Sequence, residues 1–267
     1  MNKLVKSSLR PAYTYITDYK IRELYRLERL LKKQKRYQKI ENFKFLEYNF
    51  DIPDFASFVG QYREIFVHEI FKFNSKNAPP VIIDCGSNIG MSLLYFSKLH
   101  PNVRIICIEA DKKIAEICKT NIIRNNIANI TLIEKAAWVN TEGILFSSDG
   151  ADGGTIYGEE HSVKIETIRL KELLEKEIKI DFLKIDIEGA EYEVLNDCRN
   201  SLSNVDKIFI ETHSFNNKPQ NISLVLDILE SNGFRYYIDN EARRIFPFIN
   251  NGKEKVMDLQ MTIFGYK

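Results

Sequence analysis

From residue 81 onward the chain alternates between two hydrophobic periods. Short runs rich in Ile and Val cover residues 81–84, 104–109, 129–137, 181–186, 207–212, 234–238 and 259–266, and read as buried strands. Between them, apolar residues recur at helical spacing over residues 90–99, 112–125, 170–177, 189–200 and 221–232. Asp111 stands where an N-cap belongs, and Gly233 where a helix C-terminus ends. Two weaker strands, 143–147 and 162–168, flank a polar loop at 149–154. Strand–helix alternation of this kind predicts an α/β fold, a mostly parallel sheet with helices on both faces.

The first 77 residues have a different pattern. Ile21, Leu24, Tyr25, Leu27, Leu30 and Leu31 predict one basic helix over residues 18–40, closed by Lys32-Lys-Gln-Lys-Arg36. An aromatic-rich stretch follows, with Phe43, Phe45, Tyr48, Phe50, Phe55, Phe58, Tyr62, Phe66, Phe71 and Phe73, and residues 62–71 read as a helix. Such a stripe is first of all core, and its position just before residue 81 also suits the wall of a site. Asn77-Ala-Pro-Pro80 breaks the chain, so the expected organisation is an extension over 1–77 and a domain over 78–267.

Composition changes this picture little. At 267 residues, 44% hydrophobic and 28% charged, the chain is of ordinary globular type. No apolar run reaches the roughly 18–20 residues of a membrane span. The N-terminus lacks the apolar core of a signal peptide, so the default location is the cytoplasm. Cys85, Cys107, Cys118 and Cys198 form no Cys-x-x-Cys pair, which argues for buried thiols and against zinc. Charge is more telling. Residues 1–48 hold thirteen Lys/Arg against five Asp/Glu, +8, which leaves −7 on the remainder. The basic segment suits an anionic membrane surface, at the inner face, or contact with nucleic acid, or an ordinary solvated helix face; the acidic remainder argues against nucleic acid as the acceptor.

The candidate chemistry lies at strand ends. Val81-Ile-Ile-Asp-Cys-Gly-Ser-Asn-Ile-Gly90 is a strand, a small-residue turn and a helix start, which is where open α/β sheets hold nucleotides. Its turn, with Asp84, Gly86, Ser87, Asn88 and Gly90, has neither dinucleotide nor P-loop spacing. Glu109 ends the second strand 19 residues after Gly90, at the place of a ribose-binding acid, followed by Ala110. Glu134 to Ala137 end the third strand, where small Ala136 and Ala137 leave room for a flat ring. Lys184, Asp186 and Glu188 alternate along a central strand, costly unless paired or used. His213 ends the next strand and is the candidate base, with Glu211 a weak candidate to orient it.

Together these strings resemble the FkbM family of S-adenosylmethionine-dependent methyltransferases. The resemblance rests on Ile83–Gly90, Glu109-Ala-Asp111, residues 134–143, Leu183-Lys-Ile-Asp-Ile-Glu-Gly-Ala-Glu191 and Ile210-Glu-Thr-His213, in that order. It covers about residues 80–267 and departs at Ala110, where the family usually has Pro. It implies a Rossmann-like class I methyltransferase fold with a seven-stranded sheet, S-adenosylmethionine as cofactor, and O-methylation of a sugar, glycan or secondary-metabolite hydroxyl. It assigns Asp84, Gly86, Ser87, Asn88, Gly90, Glu109, Ala110, Ala136 and Asp186 to the cofactor, and Asp186, His213, Lys184 and Glu188 to catalysis. No metal is expected, although Asp186, Glu188 and His213 could supply ligands to one. The expected partner is a small-molecule or glycan acceptor, with membrane contact through residues 1–40 and a homodimer left open. The competing readings are a lipid, peptide or RNA acceptor, an NAD-dependent oxidoreductase, and a non-catalytic scaffold.

Overall fold

The computed structural model describes residues 18–147, 154, 162–239, 246, 248–249 and 257–267. Helix α1 spans Tyr19–Leu31, capped by the Asp18 carboxylate on the Lys20 N–H. A hairpin follows, β1 (Ile40–Phe45) and β2 (Tyr48–Ile52). Helix α2, Phe55–Tyr62, is capped by Asp54 and runs into a π-helical turn, Arg63–Val67. Then come β3 (Val81–Cys85), α3 (Met91–Leu99), β4 (Arg104–Ile108), α4 (Lys112–Arg124) and β5 (Ile130–Ile133). Four short strands, β6 (Ala136–Trp138), β7 (Ile144–Phe146), β8 (Val163–Ile165) and β9 (Thr167–Arg169), lead to α5 (Leu170–Lys176). The chain ends with β10 (Phe182–Ile185), α6 (Glu191–Asp197), β11 (Lys207–Phe215), α7 (Ile222–Ser231), β12 (Arg235–Asp239) and β13 (Met257–Tyr266).

The main sheet has seven strands in the order β12-β13-β11-β10-β3-β4-β5. Every pairing is parallel except those of β13, which runs antiparallel to both β11 and β12. This is the mostly parallel sheet that the strand–helix alternation predicts, in the seven-stranded Rossmann-like order that the resemblance implies. From β3 the chain steps through β4 and β5 to one side, then crosses to β10 and β11 on the other. The strand ends at β3 and β10 therefore diverge, and a crevice opens there.

Alternating residues of each strand fill two cores, one on each face. Ile82, Leu93, Phe96, Ile105 and Phe182 belong to one. Ile83, Cys85, Ile108, Leu183 and Ile210 belong to the other. The N-terminal extension packs onto the first face. Phe45 is its centre, with edge-on contacts to Phe50, Phe58, Tyr62 and Phe66 at ring separations of 5.0–6.2 Å. Leu27 of α1 is wholly buried in the same cluster. Leu27→Ala is accordingly expected to cost about 2–5 kcal/mol of stability by chemical denaturation. Among the described residues no helix is long and apolar enough to cross a membrane. All four cysteines are buried and free.

Several boundaries differ from the sequence expectation. The helix expected over 18–40 stops at Leu31, and the chain turns into the β1–β2 hairpin. The aromatic spacing there is that of strands: Phe43 and Phe45 pair with Phe50 and Tyr48. The helix expected over 62–71 lies earlier, because the cap at Asp54 starts it at Phe55. The strand expected over 129–137 breaks after Ile133, and Ala136–Trp138 leaves the sheet to pair with β9. The strand expected to end at Thr212 continues to Phe215, because β13 pairs with it throughout. Of the loop at 149–154 only Gly154 is described; the other five residues, with residues 1–17 and His161, lie outside the described residues.

Candidate functional site

The turn after β3 is built by close backbone approach. Gly86 has φ +87°, and a Cβ there would lie 1.9 Å from the carbonyl oxygen of Asp186. Only glycine allows β3 and β10 to part at this point. The N–H groups of Gly86 and Ser87 donate to the Ile108 carbonyl at 2.9 and 3.1 Å. Asn88 follows at φ 48°, a left-handed conformation that Asn tolerates. Its side-chain oxygen accepts from the Ile89 N–H at 2.7 Å. Gly90, at φ +91°, leads into α3.

Glu109 closes this cradle from the end of β4. Its carboxylate accepts from the Asn88 N–H at 2.8 Å and the Asp111 N–H at 3.0 Å. It is 8% exposed. Burial raises its pKa to about 7 against the pull of those two donors. The cradle faces a cavity of about 530 Å³, within the roughly 300–1,000 Å³ usual for small-molecule sites. Gly86, Ser87, Asn88, Glu109, Ala110 and Ala136 all line it. Gly90 and Asp84 do not: Asp84 sits wholly buried beneath, accepting from Ser92 Oγ at 2.5 Å, with its pKa raised by burial.

The charges of β10 are paired across the sheet. Lys184 lies in register with Asp84, and its Nζ is 3.5 Å from Asp84 Oδ1 and 3.0 Å from Asp186 Oδ2. It also donates to the Gly86 carbonyl at 2.8 Å. Burial opposes the ammonium, but Asp186 and Asp84 hold its pKa above the ordinary value. Lys184 thus ties the glycine turn to the acidic strand end.

Beyond it, Asp186, Glu188 and Glu211 line the same cavity with Gln260 and Thr262 of β13. His213 sits behind them, 2% exposed in its side chain. Its Nδ1 meets Glu191 Oε1 at 2.9 Å, while Nε2 faces Glu188 at 3.6 Å and Glu211 at 3.9 Å. Burial would lower the pKa of His213, but Glu191 and Glu188 outweigh it and push it up to about 10. In this setting it is an imidazolium. Glu191, not Glu211, orients the ring, and it also accepts from the Gly189 N–H at 2.9 Å. Burial and neighbouring carboxylates raise Glu188 to about 8 and Glu211 to about 7. Gln260 donates to Glu211.

The opposite wall comes from the extension. Arg36, Gln61 and Glu64 line the cavity, so the aromatic segment does wall the site. Sequence reading missed these residues, along with Gln260 and Thr262, and placed Glu191 near Asp186 without giving it a role. Only Glu191, in the same string as Asp186, carried any local signal.

These raised pKa values set a pH dependence. Glu109, Glu188 and Glu211 keep protons in the folded state that an unfolded carboxyl, near 4.5, has lost. Folding stability from these groups therefore falls as pH rises from about 4.5 through 7–8. The His213 contribution is complete below 6.5 and is lost toward about 10, which has the same sign. The cofactor-free protein should melt several degrees lower at pH 8.5 than at pH 5.5, and Glu109→Gln should reduce the difference, by thermal unfolding.

The sequence from Asp84 to Tyr236 matches the family model described as Methyltransferase FkbM domain, over residues 84–236. The chain belongs to the FkbM methyltransferase family. This family draws its methyl group from S-adenosylmethionine, and the glycine turn, the Glu109 rim and the small Ala136 and Ala137 are residues that fit that cofactor. A curated relative is methyltransferase sdnD of Sordaria araneosa, 23% identical over 171 residues, covering 50% of this chain and 66% of the relative. The FkbM methyltransferase of Methylobacillus flagellatus KT is 18% identical, with TM-score 0.49, covering 74% of this chain and 46% of that one. The M. jannaschii TYW2 structure in complex with AdoMet is 14% identical, with TM-score 0.47, covering 88% of both chains.

Proposed function

We propose that the chain transfers the methyl group of S-adenosylmethionine to a hydroxyl oxygen of a sugar or glycan. The observation that supports this is that Asp186, Glu188 and Glu211 line the same cavity as the glycine cradle. In the cradle, Glu109 would accept from ribose hydroxyls and the face of Ala136 and Ala137 would take the adenine. A hydroxyl-rich acceptor suits a cavity lined by carboxylates, Gln61, Gln260 and Thr262.

The reaction breaks the carbon–sulfur bond of the donor and forms a carbon–oxygen bond on the acceptor. The hydroxyl proton passes to a carboxylate. Asp186 and Glu211 both face the cavity, where either carboxylate is placed to take it. His213, cationic and behind this layer, holds Glu188 and Glu191 in place. The protein's share is orientation and proton removal.

Transfer of labelled methyl to a panel of sugar nucleotides and glycolipids tests this reading. An O-methylated sugar product is expected. Transfer to RNA or peptide alone, or transfer to nitrogen, would overturn the acceptor class.

A further inference from the structure

Five carboxyl groups crowd around two basic side chains at the acidic side of the cavity. Asp84, Asp186, Glu188, Glu191 and Glu211 surround Lys184 and His213. Asp84 and Asp186 share Lys184, and Glu191 takes the Nδ1 edge of His213. The Nε2 edge of His213 is different. It is directed at Glu188 and Glu211 from 3.6 and 3.9 Å, and no hydrogen bond is made there although the side chain is 2% exposed.

A histidine with one nitrogen held by a buried carboxylate and the other left to a carboxylate cluster is the arrangement of a metal ligand with its supporting shell. Among the described residues, Asp186, Glu188 and His213 form the one such group, with ligand atoms all within 4.8 Å of one another. Metal–ligand bonds of about 2.0–2.3 Å place opposed ligands roughly 4.0–4.6 Å apart, so small side-chain rotations close the set.

We propose that Asp186, Glu188 and His213 bind a divalent cation, which displaces the protons that His213 Nε2 and Glu188 otherwise carry, with Glu191 as the positioning residue behind His213. Two carboxylates and an imidazole suit Mn²⁺ or Mg²⁺ with open positions. Asp186 and Glu188 line the cavity, so those positions face the acceptor. There a cation would hold acceptor oxygens and lower the pKa of a hydroxyl. This last role rests on the methyl-transfer reading; the binding of the ion does not.

Titration of the full chain with Mn²⁺, followed by electron paramagnetic resonance, is the test. One Mn²⁺ per chain is expected, displaced by excess Mg²⁺, with nitrogen coupling from one imidazole in the pulsed spectrum. His213→Gln should abolish that coupling. Glu188→Gln should weaken binding at least tenfold, and Glu191→Gln by about 10–100-fold, as loss of a supporting carboxylate does. Circular dichroism of each variant shows that it is folded, and a misfolded one is replaced by Asp186→Asn. No stoichiometric binding at millimolar Mn²⁺, no nitrogen coupling, or binding indifferent to Glu188→Gln and His213→Gln overturns the site. S-adenosylmethionine binding without Mn²⁺ binding rejects the metal alone; Mn²⁺ binding without S-adenosylmethionine binding rejects the methyl-transfer reading and keeps the metal site.

Discussion

Asp186→Asn is expected to lower methyl-transfer turnover by about 10²–10⁴-fold, the range for loss of a general base. Asp186 lines the cavity, and its backbone carbonyl lies against the glycine turn. Asparagine keeps its volume but cannot take the hydroxyl proton. Lys184 retains Asp84 and the Gly86 carbonyl as partners, so the fold should survive the change. Steady-state kinetics beside a thermal melt check this. An unchanged rate in a folded variant would move the base to Glu211 or Glu188.

Gly86→Ala is expected to be strongly destabilising. The added carbon would lie 1.9 Å from the Asp186 carbonyl oxygen, with φ held at +87°. Neither is relieved by a rotamer change, because the clash is with backbone. Positive φ costs a non-glycine residue of order 1–3 kcal/mol, and the overlap must be added to that. A loss of roughly 3–5 kcal/mol is expected by denaturation, together with loss of cofactor binding, since the turn must separate from β10. Gly60→Ala is the contrast. It sits in α2, where an added Cβ would meet nothing within 4 Å, and a helical glycine gains about 0.5–1 kcal/mol from alanine.

The parts of this architecture legible in the sequence are those fixed by local pattern. The strands β3, β4, β10 and β11 announce themselves as apolar runs, and the turn Gly86–Gly90 by its small residues. The charges of β10 also signal a paired or functional strand, and Lys184 between Asp84 and Asp186 bears that out. What could not be read depended on long-range register. The β1–β2 hairpin turns at Leu46 and Glu47, without the Gly or Asn that marks a tight turn, so nothing local separates its two strands. Gln260 reaches Glu211 only because β13 runs antiparallel beside β11. His213 meets Glu191 across 22 residues, which spacing alone does not reveal. Residues 36, 61 and 64 enter the cavity because the extension shares a core with the sheet.

The central claim is that the cradle from Gly86 to Glu109 holds S-adenosylmethionine. Calorimetric titration of the purified chain with S-adenosylmethionine and, separately, with NAD tests it most directly. One S-adenosylmethionine per chain is expected, weakened by about 10–100-fold in Glu109→Ala, the loss of charge-assisted hydrogen bonds to ribose, with the melting profile of that variant still cooperative. Binding of NAD without binding of S-adenosylmethionine would contradict it.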